Sequence, residues 1–202
     1  MSLIIVGERS GIIRDAFISQ GVDAISCDLY PSDKPGPHML IDNDMHLKDV
    51  LYSGKFTGAI AHPPCTRLTN SVIWYIKKHN LYDEVEQAAA FFNMIWKSPI
   101  QHICMENPVQ NSEAKKHIER QTHTIQPWQF GEDASKRTCL WLKNLPHLQP
   151  TKVIKKKRYA NQTPTGQNNL GPSDARAYLR AKTYQGIANA MAAQWSKFFI
   201  KQ

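Results

Sequence analysis

Two apolar runs, each ending in a proline-bounded loop, constrain this chain more than any other feature. The first, TGAIAHPPCTR over residues 57–67, leads through Ala59, Ile60 and Ala61 into His62, two prolines and Cys65. A short apolar run bounded by turn residues reads as a buried strand, and consecutive prolines stop both helix and sheet directly after it. The second, IQHICMENPV over residues 100–109, carries an alternating run to Glu106, and Asn107-Pro108 terminates it. Between the two, residues 83–96 set apolar side chains at positions 85, 88, 92 and 95 behind an acidic first turn, the stripe of a crossover helix.

If the two strands are parallel neighbours, Cys65 and Glu106 face one pocket beyond the strand ends, where open α/β sheets collect ligands and catalytic groups. A conformational or buried thiol fits the local pattern at Cys65 equally well. A sulfur nucleophile beside a carboxylic acid, however, suits attack on an electron-poor ring that is protonated on an adjacent nitrogen as sulfur adds. Cytosine is activated in this way.

The amino-terminal stretch predicts the rest of a nucleotide-binding α/β unit. LIIVG at 3–7 reads as a strand, Gly7-Glu8-Arg9-Ser10-Gly11 as a turn, and Ile12, Ile13, Ala16 and Phe17 as the inner face of a helix ending near Gly21. Glycines in such a turn let backbone approach a ligand, although an ordinary tight turn has the same composition and the G-x-G-x-x-G spacing is absent. VDAISCDLYPS at 22–32 reads as the next strand, with Asp28 at its carboxyl end placed to accept from the hydroxyls of a ribose. Residues 31–46 read as a loop with room for a third short strand, and Asp42 is a candidate acceptor for an adenine amino group. His38, Asp44 and His46 match no metal-ligand spacing, so no metal site is expected.

Composition bounds these readings. A chain of 202 residues with 42% hydrophobic content predicts one domain with a sizeable core. The four cysteines at 27, 65, 104 and 139 form no Cys-x-x-Cys pair and suit a reduced compartment. The opening MSLIIVGERSG runs from a short apolar stretch straight into charge, and no later run reaches the roughly 18 apolar residues of a membrane span. The expectation is a soluble, cytoplasmic protein with no export signal and no membrane contact. Of the net charge of +8, the last quarter supplies the excess: residues 151–202 hold ten Lys or Arg and one Asp, residues 1–150 fifteen basic and sixteen acidic side chains. Such asymmetry points to a polyanion, with nucleic acid expected along 152–182; a basic surface that merely keeps the protein soluble is the plainer alternative.

In the remaining segments, Thr69, Asn70 and Ser71 can cap a helix or meet a substrate, and Trp74-Tyr75 can cover a base or pack in the core. Thr138–Leu142 forms one clear β-like run, preceded by Lys136-Arg137, for which an exposed loop pair is the commoner explanation and a phosphate or the cytosine carbonyl the functional one. Residues 149–173 lack hydrophobic periodicity and read as a mobile or nucleic-acid-ordered loop. From Asp174 a helix is predicted almost to the end, with Tyr184, Ile187, Ala188, Met191, Trp195 and Phe198 on its core face and Arg176, Arg180 and Lys182 on its basic approach.

HPPCTRLTNSVIWY, ICMENPV, QPWQFGEDASKRTCLWLKNLP and SDARAYLRAKTYQGIANAMAAQW together resemble the compact phage-type branch of the DNA cytosine-C5 methyltransferase family, over essentially the full chain. The resemblance implies a Rossmann-like, S-adenosylmethionine-dependent fold with a mostly parallel sheet and helices on both faces. It divides the chain into a catalytic core at 1–148, a basic loop at 149–173 in place of a recognition domain, and a terminal helix at 174–202. By the same resemblance Cys65 is the nucleophile and Glu106 holds the protonated ring, with Arg67 as the nearest positive charge for the thiolate. Gly7, Glu8, Gly11, Asp28, Asp42 and Pro63 would hold S-adenosylmethionine, and Pro64, Thr66, Asn107, Lys136 and Arg137 the substrate. The implied partner is DNA presenting a flipped or single-stranded cytosine.

The chain departs from that family in three places. Its first turn is not Phe-x-Gly-x-Gly, no Gln-x-Arg-x-Arg signature follows, and only about 25 residues stand where the recognition region belongs. Short or no sequence preference is the consequence expected. A methyltransferase of RNA or free cytosine nucleotide, or one using a modified donor, is the nearest alternative. A non-catalytic nucleic-acid-binding module is the other, although retention of both Cys65 and Glu106 argues against it.

Overall fold

A computed structural model describes residues 2–171, 173 and 176–200. The alternation of side chains along the amino-terminal strand already dictates its layers. In β1 (Leu3–Val6), Leu3 and Ile5 pack into one apolar cluster and Ile4 and Val6 into another, because successive residues of a strand point to opposite faces. All four are buried, so both faces of the sheet must be covered, as parallel strands require.

The other strands are β2 (Ala24–Asp28), β3 (His38–Leu40), β4 (Gly58–Ala61), β5 (His102–Pro108), β6 (His123–Ile125) and β7 (Thr138–Lys143), in the order β3-β2-β1-β4-β5-β7-β6. The first five in space are mutually parallel, and β7 runs antiparallel to both its neighbours. The result is the Rossmann-like, doubly wound α/β architecture expected from the strand-helix pattern, with its topological switch between β1 and β4.

One face carries α2 (Asp44–Tyr52), α3 (Ile73–His79) and α4 (Tyr82–Trp96) through Leu47, Leu51, Ile76, Val85, Ala89, Phe92 and Ile95. The other carries α1 (Ile12–Ile18) and α6 (Gln185–Trp195), where Phe17, Met191, Trp195 and Phe199 close over Leu3, Ile5 and Ile60. Each such apolar side chain removed from water contributes roughly 1.5–3 kcal/mol, which fastens the carboxyl-terminal helix to the amino-terminal unit.

Four local expectations differ from the structure. Strand β5 continues through Asn107 to Pro108, since β7 pairs with it to the end and a proline in the last position costs the ladder little. Helix α2 begins at Asp44, inside the stretch to residue 46 expected as a loop, because Asn43 caps it by accepting from the His46 N–H.

The terminal helix is two helices, α5 (Arg176–Ala181) and α6, broken where Tyr184 takes an extended conformation with φ −70° and ψ 138°; Asp174, the expected start, lies outside the described residues. The stretch read as a mobile basic loop is anchored. Asn161 donates to Ser135 O at 2.9 Å and accepts from Ser135 N at 2.9 Å, Ala160 N donates to Asp133 O, and Phe130 pairs with Lys152. Trp74 and Tyr75 are 68% and 46% exposed, so core packing does not hold them. No helix among the described residues is long and apolar enough to cross a membrane.

Candidate active site

Parallel pairing of β4 with β5 brings the loop carrying Cys65 beside the strand end carrying Glu106. The loop after β5 then fixes the loop after β4. Asn107 donates to Pro63 O at 3.1 Å, Asn111 donates to Arg67 O at 2.9 Å, and Asn70 N donates to Val109 O at 2.8 Å. Two prolines restrict the backbone before Cys65, and Leu68 and Thr69 donate their N–H groups to the Cys65 carbonyl. The thiol is half-buried, whereas Cys27, Cys104 and Cys139 are buried.

Glu106 is held from two sides. His62, the first residue after β4, donates from Nδ1 to Oε2 at 2.8 Å, and Lys136 Nζ stands 3.8 Å from Oε1. Burial by itself pushes the carboxyl up, but the Lys136 charge and the His62 bond outweigh it and bring Glu106 down to about 2. Cys65 moves the other way: burial, then the Glu106 charge, push its thiol up, with Lys136 and Arg180 opposing. The resting pair is therefore a carboxylate and a thiol.

Above β1 and β4 a cleft opens at the switch point. Its polar lobe, 270 Å³, runs over Gly7–Ser10 to Tyr178 and Lys182; its apolar lobe, 390 Å³, lies between Leu29 and Ile41 on one side and Pro63, Pro64 and Phe91 on the other. Gly7, Asp28 and His62 border both lobes. Gly7 has φ +71°, and a Cβ there would come within 2.7 Å of the His62 carbonyl oxygen, so the turn requires glycine. Two of the residues that border the cleft carry unsatisfied polarity: His62 Nε2 and the Tyr178 hydroxyl are buried and have no hydrogen-bond partner.

The candidate residues from sequence distribute unevenly around these features. Gly7, Glu8, Asp28, Pro63 and Pro64 border the cleft, whereas Gly11, at φ +68°, packs against the Arg14 guanidinium. The Glu8 carboxylate is turned inward, where it accepts from Ile13 N at 2.6 Å and Arg14 N at 3.1 Å and so takes up the free amides at the start of α1. Asp42 faces solvent and pairs with His46 at 3.0 Å; Asp44, with Asp28, borders the apolar lobe in its place.

Arg67 reaches Glu84 at 2.6 Å, and the cations acting on Cys65 are Lys136 and Arg180 instead. Thr66 is exposed, Asn107 is buried in its clamp, and Arg137 lies beside Lys136 on a separate cavity. His62, Tyr178, Phe91 and Gln87 carried no role in the sequence reading. Only His62 left a signal there, as the polar residue set directly after an apolar strand.

No protein-family model matches the chain, and no curated protein matches it. Among solved structures it is similar to the Dnmt2 methyltransferase of S. pombe, with 13% identity over 73% of this chain and 50% of that one and a TM-score of 0.47. It is likewise similar to a putative DNA modification methyltransferase encoded within a prophage of E. coli, with 10% identity over 76% of this chain and 52% of that one and a TM-score of 0.47. The chain thus spans about half the length of each of these structures.

Proposed function

We propose that this protein transfers a methyl group from S-adenosylmethionine to C5 of cytosine in DNA, through a covalent bond between Cys65 and C6 of the ring. The observation that carries the reading is the thiol of Cys65 set beside a buried carboxylate, Glu106, fixed by His62 and Lys136 at the carboxyl ends of adjacent parallel strands. The cleft suits the donor. Its apolar lobe matches an adenine ring between Leu29, Ile41 and Phe91, Asp28 offers a carboxylate to the ribose, and the polar lobe brings Arg9 and Lys182 toward a carboxylate. When bound there, S-adenosylmethionine supplies an electrophilic methyl group on a sulfonium centre.

The chain's own groups account for the remaining steps. As the sulfur of Cys65 bonds to C6, its proton passes to Glu106 and from Glu106 to N3, so Glu106 ends as the carboxylate it began and the ring gains one proton. The negative charge that pushed the Cys65 thiol up is then spent against N3–H and the exocyclic amine, which favours addition only when a cytosine is in place. Once C5 carries the methyl group, a base removes the C5 hydrogen and the S–C6 bond breaks to restore the C5–C6 double bond, with N3 returning its proton through Glu106 to the departing sulfur. C5 inside a duplex is out of reach, so the acceptor is a flipped or single-stranded cytosine.

A fluorine at C5 blocks the hydrogen removal. Incubation with S-adenosylmethionine and a 5-fluorocytosine oligonucleotide is therefore expected to leave a denaturation-resistant adduct on the peptide containing Cys65, measured by mass. Methylation of ordinary cytosine without any such adduct sinks the covalent route. Label from the donor appearing only in RNA or in dCMP moves the acceptor to those classes instead.

A further inference from the structure

A third cavity, of 510 Å³, shares Lys182 with the polar lobe of the donor cleft, and its walls come mainly from three separate segments, with Pro108 at the end of β5 bordering it as well. Residues 133–137 form the floor, residues 160–170 one wall, and α5 with the turn after it the other. Four cations border it, Lys136, Arg137, Arg180 and Lys182, against one acid, Asp133. That acid is already engaged: its carboxylate takes the Lys156 ammonium at 2.5 Å and the Ala160 N–H at 3.2 Å. The cavity is therefore strongly positive where a ligand would enter. Lys136, which borders it, stands 3.8 Å from Glu106, so one side chain separates whatever fills the cavity from the group assigned to the reacting ring. The wall is prepared in advance, because the paired bonds between Asn161 and Ser135 hold it against the floor, and a preformed site loses little affinity to ordering.

Resting on the methyl-transfer reading, we propose that this cavity binds the sugar-phosphate of the acceptor nucleotide, with Arg137 and Arg180 on phosphate oxygens and the pyrimidine directed past Lys136 to Glu106 and Cys65. The ligand class is a pyrimidine nucleotide phosphate, held either as one unit of a single strand or as a free nucleotide. The densest charge in the sequence, Lys155–Arg158, is then not the binding site. Its side chains are exposed, Lys156 is spent on Asp133, and the segment's task is to build the wall.

The test is binding of a fluorescent single-stranded oligodeoxynucleotide containing one cytosine to the full chain, followed by anisotropy over a salt series. Arg137 and Arg180 are exposed, so truncating them leaves the fold intact. Arg137→Ala and Arg180→Ala are each expected to weaken binding about tenfold and to reduce the slope of log affinity against log salt by about 0.7, one phosphate contact on a single strand. Lys155→Ala and Lys157→Ala are expected to change affinity less than about threefold. Equal losses in both pairs, larger losses at Lys155 and Lys157, or no binding by the unaltered protein overturn the proposal.

Unlabelled dCMP and a duplex serve as competitors. Displacement by dCMP as strong as by the strand assigns the cavity to free nucleotide, weaker displacement assigns it to the polymer, and displacement by duplex alone overturns the site. Binding that follows Arg137 and Arg180 without any methyl transfer defeats the proposed reaction and leaves the cavity standing. Methyl transfer with affinity indifferent to both arginines does the reverse.

Discussion

The Nδ1 of His62 lies 2.8 Å from Oε2 of Glu106, joining the end of β4 to the end of β5 by one side-chain bond. Together with Lys136 this bond holds Glu106 as a carboxylate down to about 2, well below the ordinary glutamate value of 4.5. A carboxyl whose folded value is depressed contributes stability that is present above its unfolded value and is lost as pH falls through the folded one. Acid unfolding followed by circular dichroism is expected to show a proton-linked loss between about pH 4.5 and 2. Glu106→Gln removes the group that titrates, so a variant whose acid midpoint and steepness equal those of the unaltered protein would count against Glu106 as the cause.

The charge of Glu106 also suppresses Cys65. Since burial and then Glu106 raise this thiol above the ordinary cysteine range, alkylation by iodoacetamide at neutral pH is expected to be slower than for a free thiol and to rise at alkaline pH. Glu106→Gln is expected to speed alkylation of Cys65 several-fold at neutral pH while leaving the buried Cys104 unreactive. Peptide mass mapping after a timed pulse reads both sites. An unchanged rate at Cys65 would separate the two residues electrostatically.

Donor binding divides between the two lobes of the cleft. Asp28→Ala is expected to weaken S-adenosylhomocysteine and 5′-methylthioadenosine alike, by about tenfold or more, because both lose a charged acceptor at the ribose. Lys182→Ala is expected to weaken only S-adenosylhomocysteine, since methylthioadenosine has no amino-acid carboxylate to meet the polar lobe. Calorimetry with the two ligands checks each outcome, and equal losses for Lys182→Ala would place that carboxylate elsewhere.

Gly186 opens α6 hard against the loop at Phe130. A Cβ at this position would overlap the Phe130 carbonyl oxygen, and that backbone is tied to Lys152. Gly186→Ala is expected to cost about 2 kcal/mol by overpacking, a fall in Tm of about 4–8 °C for a chain of this size. Gly171→Ala, where a Cβ meets nothing within 4 Å, is the control and is expected to leave Tm unchanged.

The sequence by itself determined the elements whose signals are local. Alternating or continuous apolar runs fixed β1, β2, β4 and β5, the stripe at 85, 88, 92 and 95 fixed α4, and paired prolines fixed the point where the chain leaves the sheet before Cys65. From strand-helix-strand order alone the convergence of Cys65 and Glu106 followed, because a crossover helix of that length makes its flanking strands parallel. Tertiary structure decided which charge serves which group. Arg67 is nearest to Cys65 along the chain, yet its guanidinium finds Glu84 on α4, and Lys136 and Arg180 arrive from distant segments. Likewise Asp44 rather than Asp42 meets the apolar lobe, since the start of α2 sets the direction of each side chain and a shift of two positions turns one acid from cleft to solvent. The sequence marked Lys136-Arg137 as candidates for a phosphate and Arg180 and Lys182 as basic, but nothing local said that they border one cavity. Its floor and walls lie far apart along the chain, and only the packing of α6 against α1 and the bonds between Asn161 and Ser135 bring them around one space.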